Sequence, residues 1–497
     1  MIPFSPRIWQ RYGADQVVAA ARAGADRALI YACPGSGKTA AGLLTALDLI
    51  RRVKATAFVV VITPNLAIKS QWIGWAETLG LNLLEVTDPD QLRQPQLPLG
   101  AYGYVLSYQQ AINIKRSLHL FCETHRPVVI LDEVHHTAGS LTDRDGNAWG
   151  VAVEWACGPA SFKLCTTGTP FRQGNSPIAF VHYNEAGEAT ATVRYTYEQA
   201  IKDGVCRPIE FEFYDGDISW ESRAGSVVTA DFTDKLTKKL TRERLEAALS
   251  TDGQFPFRML AAAHAKLSAI RAGVGVDATA AGLVVAMDTA HANAIAGVLT
   301  DIAGAAPVVV HNKIDDAQDL IAAFREGSAP WIVGINMLSE GVDIPRLRVG
   351  VYATRIRAPL YFHQFCGRFA RVQESRRERS FVYLPRDPEL EEIAVEIEKE
   401  KYHALGEDAP FRPKAGQGDG RGRRTCLAVE DSDGAAVASA YGGMVFPRRY
   451  IEAHRERVVE FKRRNPANHD TPEVEILKWM IDLGAIEGPP PLADAAE

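Results

Sequence analysis

Along the first third of the chain, short runs of consecutive apolar residues alternate with longer stretches in which apolar positions recur every three or four residues. The runs at 28–33, 57–63 (AFVVVIT), 103–107, 127–132 (PVVILD) and 163–167 are rich in Val and Ile, and they are of strand length, so they predict strands buried on both faces. The helical stretches between them predict the crossovers of a parallel sheet. A second series of the same kind begins near 282 with GLVVAM and continues with PVVVHN at 307, WIVGIN at 331, RVGVYA at 348 and SFVYLP at 380. The pattern therefore predicts an α/β chain with two tandem parallel-sheet lobes.

The join between the two series contains FEFYDG at 211 and two helical stretches, DKLTKKLTRERLEAAL and FRMLAAAHAKLSAI. It reads as a linker plus an insertion. After the second series come an amphipathic acidic helix, ELEEIAVEIEKEKYHAL, a glycine-rich stretch, AGQGDGRGRRT, and a basic helical segment, RRYIEAHRERVVEFKRR. The expected organisation is lobe 1 over residues 1–172, linker and insertion over 173–281, lobe 2 over 282–400, and a mainly helical, partly flexible extension over 401–497.

The stretch YACPGSGKTA at 31–40 changes the picture from fold to chemistry. An apolar strand, a glycine-rich turn and a helix present successive backbone N–H groups and a helix N-terminus to an anion. Gly35 and Gly37 let the backbone close around a phosphate, with Ser36 between them. Lys38 reaches the β- and γ-phosphates, and the Thr39 hydroxyl ligates Mg²⁺. The first position of this P-loop pattern is Ala32 in place of glycine.

LDEVHH at 131–136 stands at the end of another apolar strand, VVIL. There Asp132 can hold Mg²⁺ and Glu133 can orient and deprotonate an attacking water. No further ligand is spaced to make a zinc site of His135 and His136.

The 497 residues allow two to four domains, and a 46% hydrophobic content fills several cores. No apolar run reaches the ~18 residues of a membrane span, and the N-terminus is neither a signal nor a transit peptide. A cytoplasmic protein without a membrane partner is expected. The seven cysteines include no C-x-x-C pair, which excludes a zinc ribbon or a disulfide framework. Net charge is −6, yet residues 387–408 alone carry nine acids against two lysines, leaving the remainder nearly neutral. Residues 411–464 carry twelve Lys or Arg against seven acids, so basic patches are available despite the overall sign.

TTGTPFR at 166 and TPNLAIKSQW at 63 follow strands, and together with the P-loop and DEVH they resemble the first lobe of superfamily 2 helicases and translocases in order and spacing. In the second lobe VVAMDTAHA at 284, MLSEGVDIP at 337 and QFCGRFAR at 364 resemble that family's fourth, fifth and sixth motifs. The resemblance covers roughly residues 5–390 and is nearest to the DEAD/DEAH-box group related to restriction-enzyme motor subunits and repair helicases. SPRIWQRYGADQ resembles that group's opening R-x-x-Q, in which the glutamine, here Gln10, reads adenine.

The resemblance implies two RecA-like lobes with ATP and Mg²⁺ bound between them. It gives Arg368 and Arg371 the role of arginine fingers, puts Gln364 near the γ-phosphate, and brings Gly341 and Asp343 to the ribose or Mg²⁺ side. Thr167 and Thr169 would couple hydrolysis to lobe movement. Thr63, Pro64, Asn65, Ser107 and Tyr108, with a segment near Met287 and Asp288, would grip a phosphate backbone, largely through main-chain N–H groups and hydroxyls. Tyr108 is equally readable as a base-stacking residue or a packed core tyrosine, and Trp72 as core packing. The implied activity is a nucleic-acid-dependent ATPase or helicase, with DNA favoured over RNA. An RNA helicase, or an ATPase motor remodelling a protein–DNA assembly with its C-terminal extension docked on a protein partner, is the alternative.

Overall fold

The apolar runs become strands, and the register of those strands places the chemistry. A computed structural model of the chain describes residues 4–53, 58–94, 96–137, 148–168, 177–223, 225–311, 313–314, 316–335, 344–373 and 378–405. Beyond these it describes 427–430, 436–441, 444–464, 476–477, 480–481 and 485–486. The chain divides into two compact units between Cys206 and Arg207.

In the first unit the described strands are β1 (Arg27–Ala32), β2 (Val59–Thr63), β3 (Leu83–Glu85), β4 (Gly103–Ser107), β5 (Val128–Leu131), β6 (Phe162–Thr167) and β7 (Val193–Tyr195). They form one sheet in the order β3-β4-β2-β5-β6-β1-β7, parallel at every pairing. Helices α1 (Ile8–Arg22), α2 (Lys38–Val53), α3 (Leu66–Thr78), α4 (Tyr108–Asn113), α5 (Lys115–His125), α6 (Ala148–Cys157) and α7 (Tyr197–Lys202) connect or flank them. Strands β2, β4, β5 and β6 are buried along their whole length, which is why they read as continuous apolar runs rather than alternating ones.

Register does the positioning. Tyr31 pairs with Thr167 and Leu131 with Cys165, so β1, β5 and β6 end side by side and their following loops share one edge. In open parallel sheets the carboxyl ends of the strands are where ligands bind.

In the second unit β8 (Ile209–Tyr214), β11 (Ala281–Ala286), β12 (Val308–Val310), β13 (Trp331–Gly334), β14 (Leu347–Ala353) and β15 (Ser380–Pro385) form a sheet in the order β12-β13-β11-β14-β15-β8, again parallel throughout. Strands β9 (Ile218–Glu221) and β10 (Val227–Ala230) make a separate antiparallel pair. The helices are α8 (Lys238–Ala248), α9 (Gln254–Arg271), α10 (Thr289–Ala303), α11 (Ala317–Glu326), α12 (Pro359–Gly367) and α13 (Pro388–Leu405). The core joins β11, β13 and β14 to α8, α9 and α10 through Val284, Val333, Val351, Leu245, Met259, Leu260 and Ile295. The architecture is two parallel-sheet α/β units in tandem.

The stretch 173–281, expected as linker and insertion, contributes a strand to each sheet: β7 lies beside β1 and β8 beside β15. A three-residue edge strand such as β7 carries too few positions for a periodicity to register.

In the C-terminal extension the helix α14 (Arg448–Arg464) follows a meander of β16 (Leu427–Glu430), β17 (Ala436–Tyr441) and β18 (Met444–Pro447). Val458 of α14 is buried in a small cluster with Ile476, Leu477, Met480 and Ile486, with Phe461 partly buried against it. Val459 faces outward, 58% exposed. The glycine-rich stretch at 415–425 lies outside the described residues.

Candidate nucleotide site in the first unit

β1 ends at Ala32, which is fully buried, and residues 33–37 turn into α2, whose first residue is Lys38. Ala32 sits on the strand without a left-handed backbone, so alanine costs nothing conformational where the motif has glycine. Gly35 and Gly37 do need their freedom, with φ of 83° and 94°, a region that L side chains rarely enter. At Gly37 a Cβ would also meet Arg7 Nη1 and Gln10 Nε2, each at 2.9 Å. Ser36 braces the turn, its hydroxyl donating to the Cys33 carbonyl at 2.6 Å.

Gln10 is buried and both ends of its amide are engaged. Its Nε2 donates to the Gly37 carbonyl at 2.9 Å, and its Oε1 accepts from the Arg7 amide at 2.9 Å. Arg7 Nη1 and Trp9 Nε1 both donate to the Ser36 carbonyl. The start of α1 therefore clasps the phosphate-type loop from behind, and Gln10, expected as an adenine reader, is also one of the residues that brace that loop.

At the end of β5, Asp132 and Glu133 turn the chain into a short 3₁₀ helix (Val134–Thr137). Glu133 has a φ of 46°, an uncommon conformation for a residue with a Cβ, of the kind that clusters at functional sites. Its carboxylate accepts from Lys38 Nζ at 2.7 Å, and from the Thr167 hydroxyl and the Gly168 amide at 3.2 Å each. Burial raises the proton affinity of Glu133, but the Lys38 ammonium, His135 and these hydrogen bonds outweigh it and hold the carboxyl below its ordinary range. His135 Nδ1 lies 3.0 Å from the Thr167 hydroxyl, which joins Glu133, Thr167 and His135 in one network.

Asp132 is buried. Its Oδ1 accepts from the Thr166 hydroxyl at 2.9 Å and from the Glu133 amide at 3.1 Å, and its Oδ2 from Trp72 Nε1 at 2.8 Å. Desolvation, and then the neighbouring Glu133 charge, push its carboxyl upward against the opposing pull of Lys38, Trp72 and Thr166. The two adjacent acids are thus driven in opposite directions, a pattern common at active sites.

Thr39 is half-buried on the first turn of α2. Lys38, Thr39, Asp132, Glu133 and Thr167 come from the ends of three adjacent strands, as the register requires. A glycine-bearing turn that opens α2 at Lys38 suits a phosphate chain, and Asp132 with the Thr39 hydroxyl supplies oxygen donors of the kind Mg²⁺ takes. Thr169, Gly341 and Asp343 lie outside the described residues.

Several expectations shift on the structure. Tyr108 is fully buried and donates its hydroxyl to the Asp132 carbonyl at 2.9 Å, so it is a core residue and does not stack on a base. Ser107 caps α4, accepting from the Gln110 amide at 3.2 Å. Asn65 caps α3, accepting from the Ile68 amide at 3.1 Å, and the Thr63 hydroxyl donates to the Asn65 carbonyl at 3.1 Å. Pro64 lies between them, half-buried. In the second unit Gln364 is on α12, Arg368 forms its C-cap and Arg371 lies beyond it. A solvated helix face is thereby excluded for the two arginines. Gln364 Oε1 is buried with no hydrogen-bond partner among the described residues. The sequence reading missed Thr166, His135 and the Trp72 hydrogen bond. The first is an unremarked neighbour of Thr167, and only the fold brings the other two to the acids.

Comparison with known proteins bears on the same residues. Residues 3–172 match the family described as type III restriction enzyme, res subunit. The chain is 35% identical over 394 residues to the uncharacterized protein Rv2917 of Mycobacterium tuberculosis, an alignment covering 78% of this chain but only 62% of that protein's length. It is 32% identical over 419 residues to the uncharacterized protein ML1624 of Mycobacterium leprae, covering 83% of this chain and 67% of that one. Among solved structures, the DNA-bound ATP-dependent type ISP restriction-modification enzyme LlaBIII aligns over 81% of this chain and 30% of its own, at 15% identity and a TM-score of 0.55. That likeness is one of fold. Among the described residues no helix is long and apolar enough to cross a membrane.

Proposed function

The chain belongs to one family with ML1624, and from that premise, with the res-subunit match over residues 3–172, we propose that it is a superfamily 2 nucleic-acid-dependent ATPase that moves along DNA. The observation that carries the reading is the ion pair of Lys38 with Glu133 beside the phosphate-type loop, 2.7 Å long. The lysine assigned to phosphate and the carboxylate assigned to water are in direct contact.

In this reading Gly35, Ser36, Gly37 and Lys38 receive the phosphates, and Thr39 and Asp132 hold Mg²⁺. The metal, when bound, neutralises charge on the phosphoryl oxygens. A phosphate chain competes for Lys38, and when the ammonium turns to it Glu133 loses the partner that keeps its proton affinity low. The carboxylate is thereby freed, and made more basic, as it is needed to take a proton from the attacking water. The His135–Thr167 pair then holds the same carboxylate in orientation.

Gln364, Arg368 and Arg371 are assigned to the charge that develops on the γ-phosphoryl group, where an arginine contributes on the order of 10³–10⁵ in rate. Thr169, Gly341 and Asp343 keep their implied roles in coupling and nucleotide contact. Thr63, Pro64, Asn65 and Ser107 are assigned to the strand's phosphates through main-chain groups. The DNA preference follows the family resemblance and the DNA-bound neighbour.

The experiment is ATP-dependent displacement of a third strand from a linear DNA triplex, run beside unwinding assays on DNA and RNA duplexes. Displacement without unwinding supports a DNA translocase. Unwinding of RNA alone would make the protein an RNA helicase, and ATP turnover with neither outcome would favour a remodelling motor.

A further inference from the structure

The site described above leaves unexplained why Asp132 is held from two directions by aromatic residues that take no part in nucleotide contact. Trp72 comes from α3, two turns after its cap Asn65. It is fully buried, and its ring is seated against α2, where a Cβ on Gly42 would meet Trp72 Cη2 at 2.9 Å. Its indole N–H reaches Asp132 Oδ2 at 2.8 Å. Tyr108 is the first residue of α4, next to the cap Ser107. It too is fully buried, and its hydroxyl reaches the Asp132 carbonyl oxygen at 2.9 Å.

Each of the two places assigned above to strand binding, 63–65 and Ser107, therefore leads directly into a helix that places one polar aromatic on the same acidic residue. The two helices are also linked to each other. Lys69 of α3, which pairs with Glu85, lies 3.4 Å from Gln110 Oε1 of α4, and that oxygen accepts from the Ser107 amide at 2.9 Å.

Packing alone does not require this. A buried indole N–H or phenol O–H needs only some acceptor. Here both converge on one residue, and one of the two bonds goes to a carboxylate oxygen, the stronger kind of acceptor. Closely packed helices shift as units rather than deforming continuously, so a change at Asn65 or Ser107 is passed to the donor at the far end of a short rigid path.

We infer that Trp72 and Tyr108 are positioning residues that transmit strand contact at 63–65 and Ser107 to Asp132, setting the orientation of its carboxylate and so the rate of ATP turnover. The inference rests on the function proposed above. Neither residue touches substrate, and their part is to make turnover respond to nucleic acid.

The test uses the full chain with Tyr108→Phe, which keeps the ring and removes the donor, and Trp72→Phe, which removes the donor together with part of the indole. With saturating single-stranded oligo(dT), each variant should lower kcat about tenfold, the size expected for one lost hydrogen bond to a charged or strongly polarised group. The KM for ATP and the affinity for the oligonucleotide measured by fluorescence anisotropy should stay near wild type in both, and the melting temperature should stay near wild type in Tyr108→Phe; Trp72→Phe also leaves a cavity and serves as the spectroscopic reference. A second readout needs no turnover. In protein carrying ¹⁵N-labelled tryptophan, the indole N–H resonance that vanishes in Trp72→Phe should shift when oligo(dT) is added without nucleotide.

Unchanged kcat in both variants, or a loss in Tyr108→Phe that follows a lowered melting temperature, overturns the inference, as does an indole resonance indifferent to the oligonucleotide. If wild-type turnover responds to no nucleic acid, the proposed function itself fails. The coupling inference fails with it, and that result is recognised by the wild type alone.

Discussion

Lys38 Nζ and Glu133 Oε1 lie 2.7 Å apart, with side chains 12% and 21% exposed. The pair is shielded enough from water for its charges to hold one another firmly, and the lysine has to leave it to bind phosphate. Glu133→Gln removes the competing charge while keeping the shape of the side chain. It should abolish turnover and tighten ATP binding several-fold, whereas Lys38→Ala should abolish turnover and weaken binding. Titration with a fluorescent ATP analogue checks both. Weaker binding in Glu133→Gln would show that the ion pair does not compete with nucleotide.

Gly168 offers a separate handle on the same lysine. A Cβ there would stand 2.5 Å from Lys38 Nζ and 3.1 Å from Pro34 Cγ. The far end of a lysine yields easily, so Gly168→Ala should leave the melting temperature within about 2 °C, the scale of a few tenths of a kcal/mol. The displaced ammonium is nevertheless the one assigned to phosphate, and kcat/KM for ATP should fall about tenfold or more. Thermal melting and steady-state kinetics on one preparation separate the two effects.

Arg371 lies past the end of α12. Arg371→Ala should lower the hydrolysis rate about a hundredfold or more with little change in ATP affinity, because a finger acts mainly on charge in the transition state. Single-turnover phosphate release, compared with equilibrium binding, measures each part. A large loss of affinity with a preserved maximal rate would make Arg371 a binding residue.

His363, next to Gln364 on α12, is pushed down from its ordinary 6.5 to about 4 by burial. The folded protein therefore prefers the neutral ring, and the unfolded chain takes up a proton first as pH falls. The stability this contributes is present above about pH 6.5 and is lost between about 6.5 and 4, by at most about 3 kcal/mol at the acid end. In His363→Gln the fall in unfolding free energy over that window should be shallower, as read from urea denaturation at several pH values.

The sequence made the strand series, the phosphate-type loop and the acid pair legible because each rests on local signals: continuous apolar runs, two glycines with a following lysine, and carboxylates at a strand end. What it hid depends on register and helix direction. Trp72 reads as packing on a helix of low amphipathicity, and only the crossover from β2 to α3 turns its indole toward Asp132. That Gln10 also braces Gly37 is visible only in the approach of α1 to the loop. Tyr108, ambiguous in sequence, is settled by the fold as a core residue because it opens α4 at the buried end of β4. The meander at 427–447 escaped notice because its runs are short and lie between glycine-rich stretches.

The central claim is that hydrolysis at Lys38, Asp132 and Glu133 is driven by nucleic acid. The most direct test is the steady-state rate of phosphate release by the full chain, with and without saturating single-stranded DNA, beside matched RNA and the Glu133→Gln variant. The account predicts a rate raised at least about tenfold by DNA, on the order of 1.4 kcal/mol of barrier, raised less by RNA, and abolished in the variant. Equal wild-type rates with DNA, with RNA and with neither would contradict it.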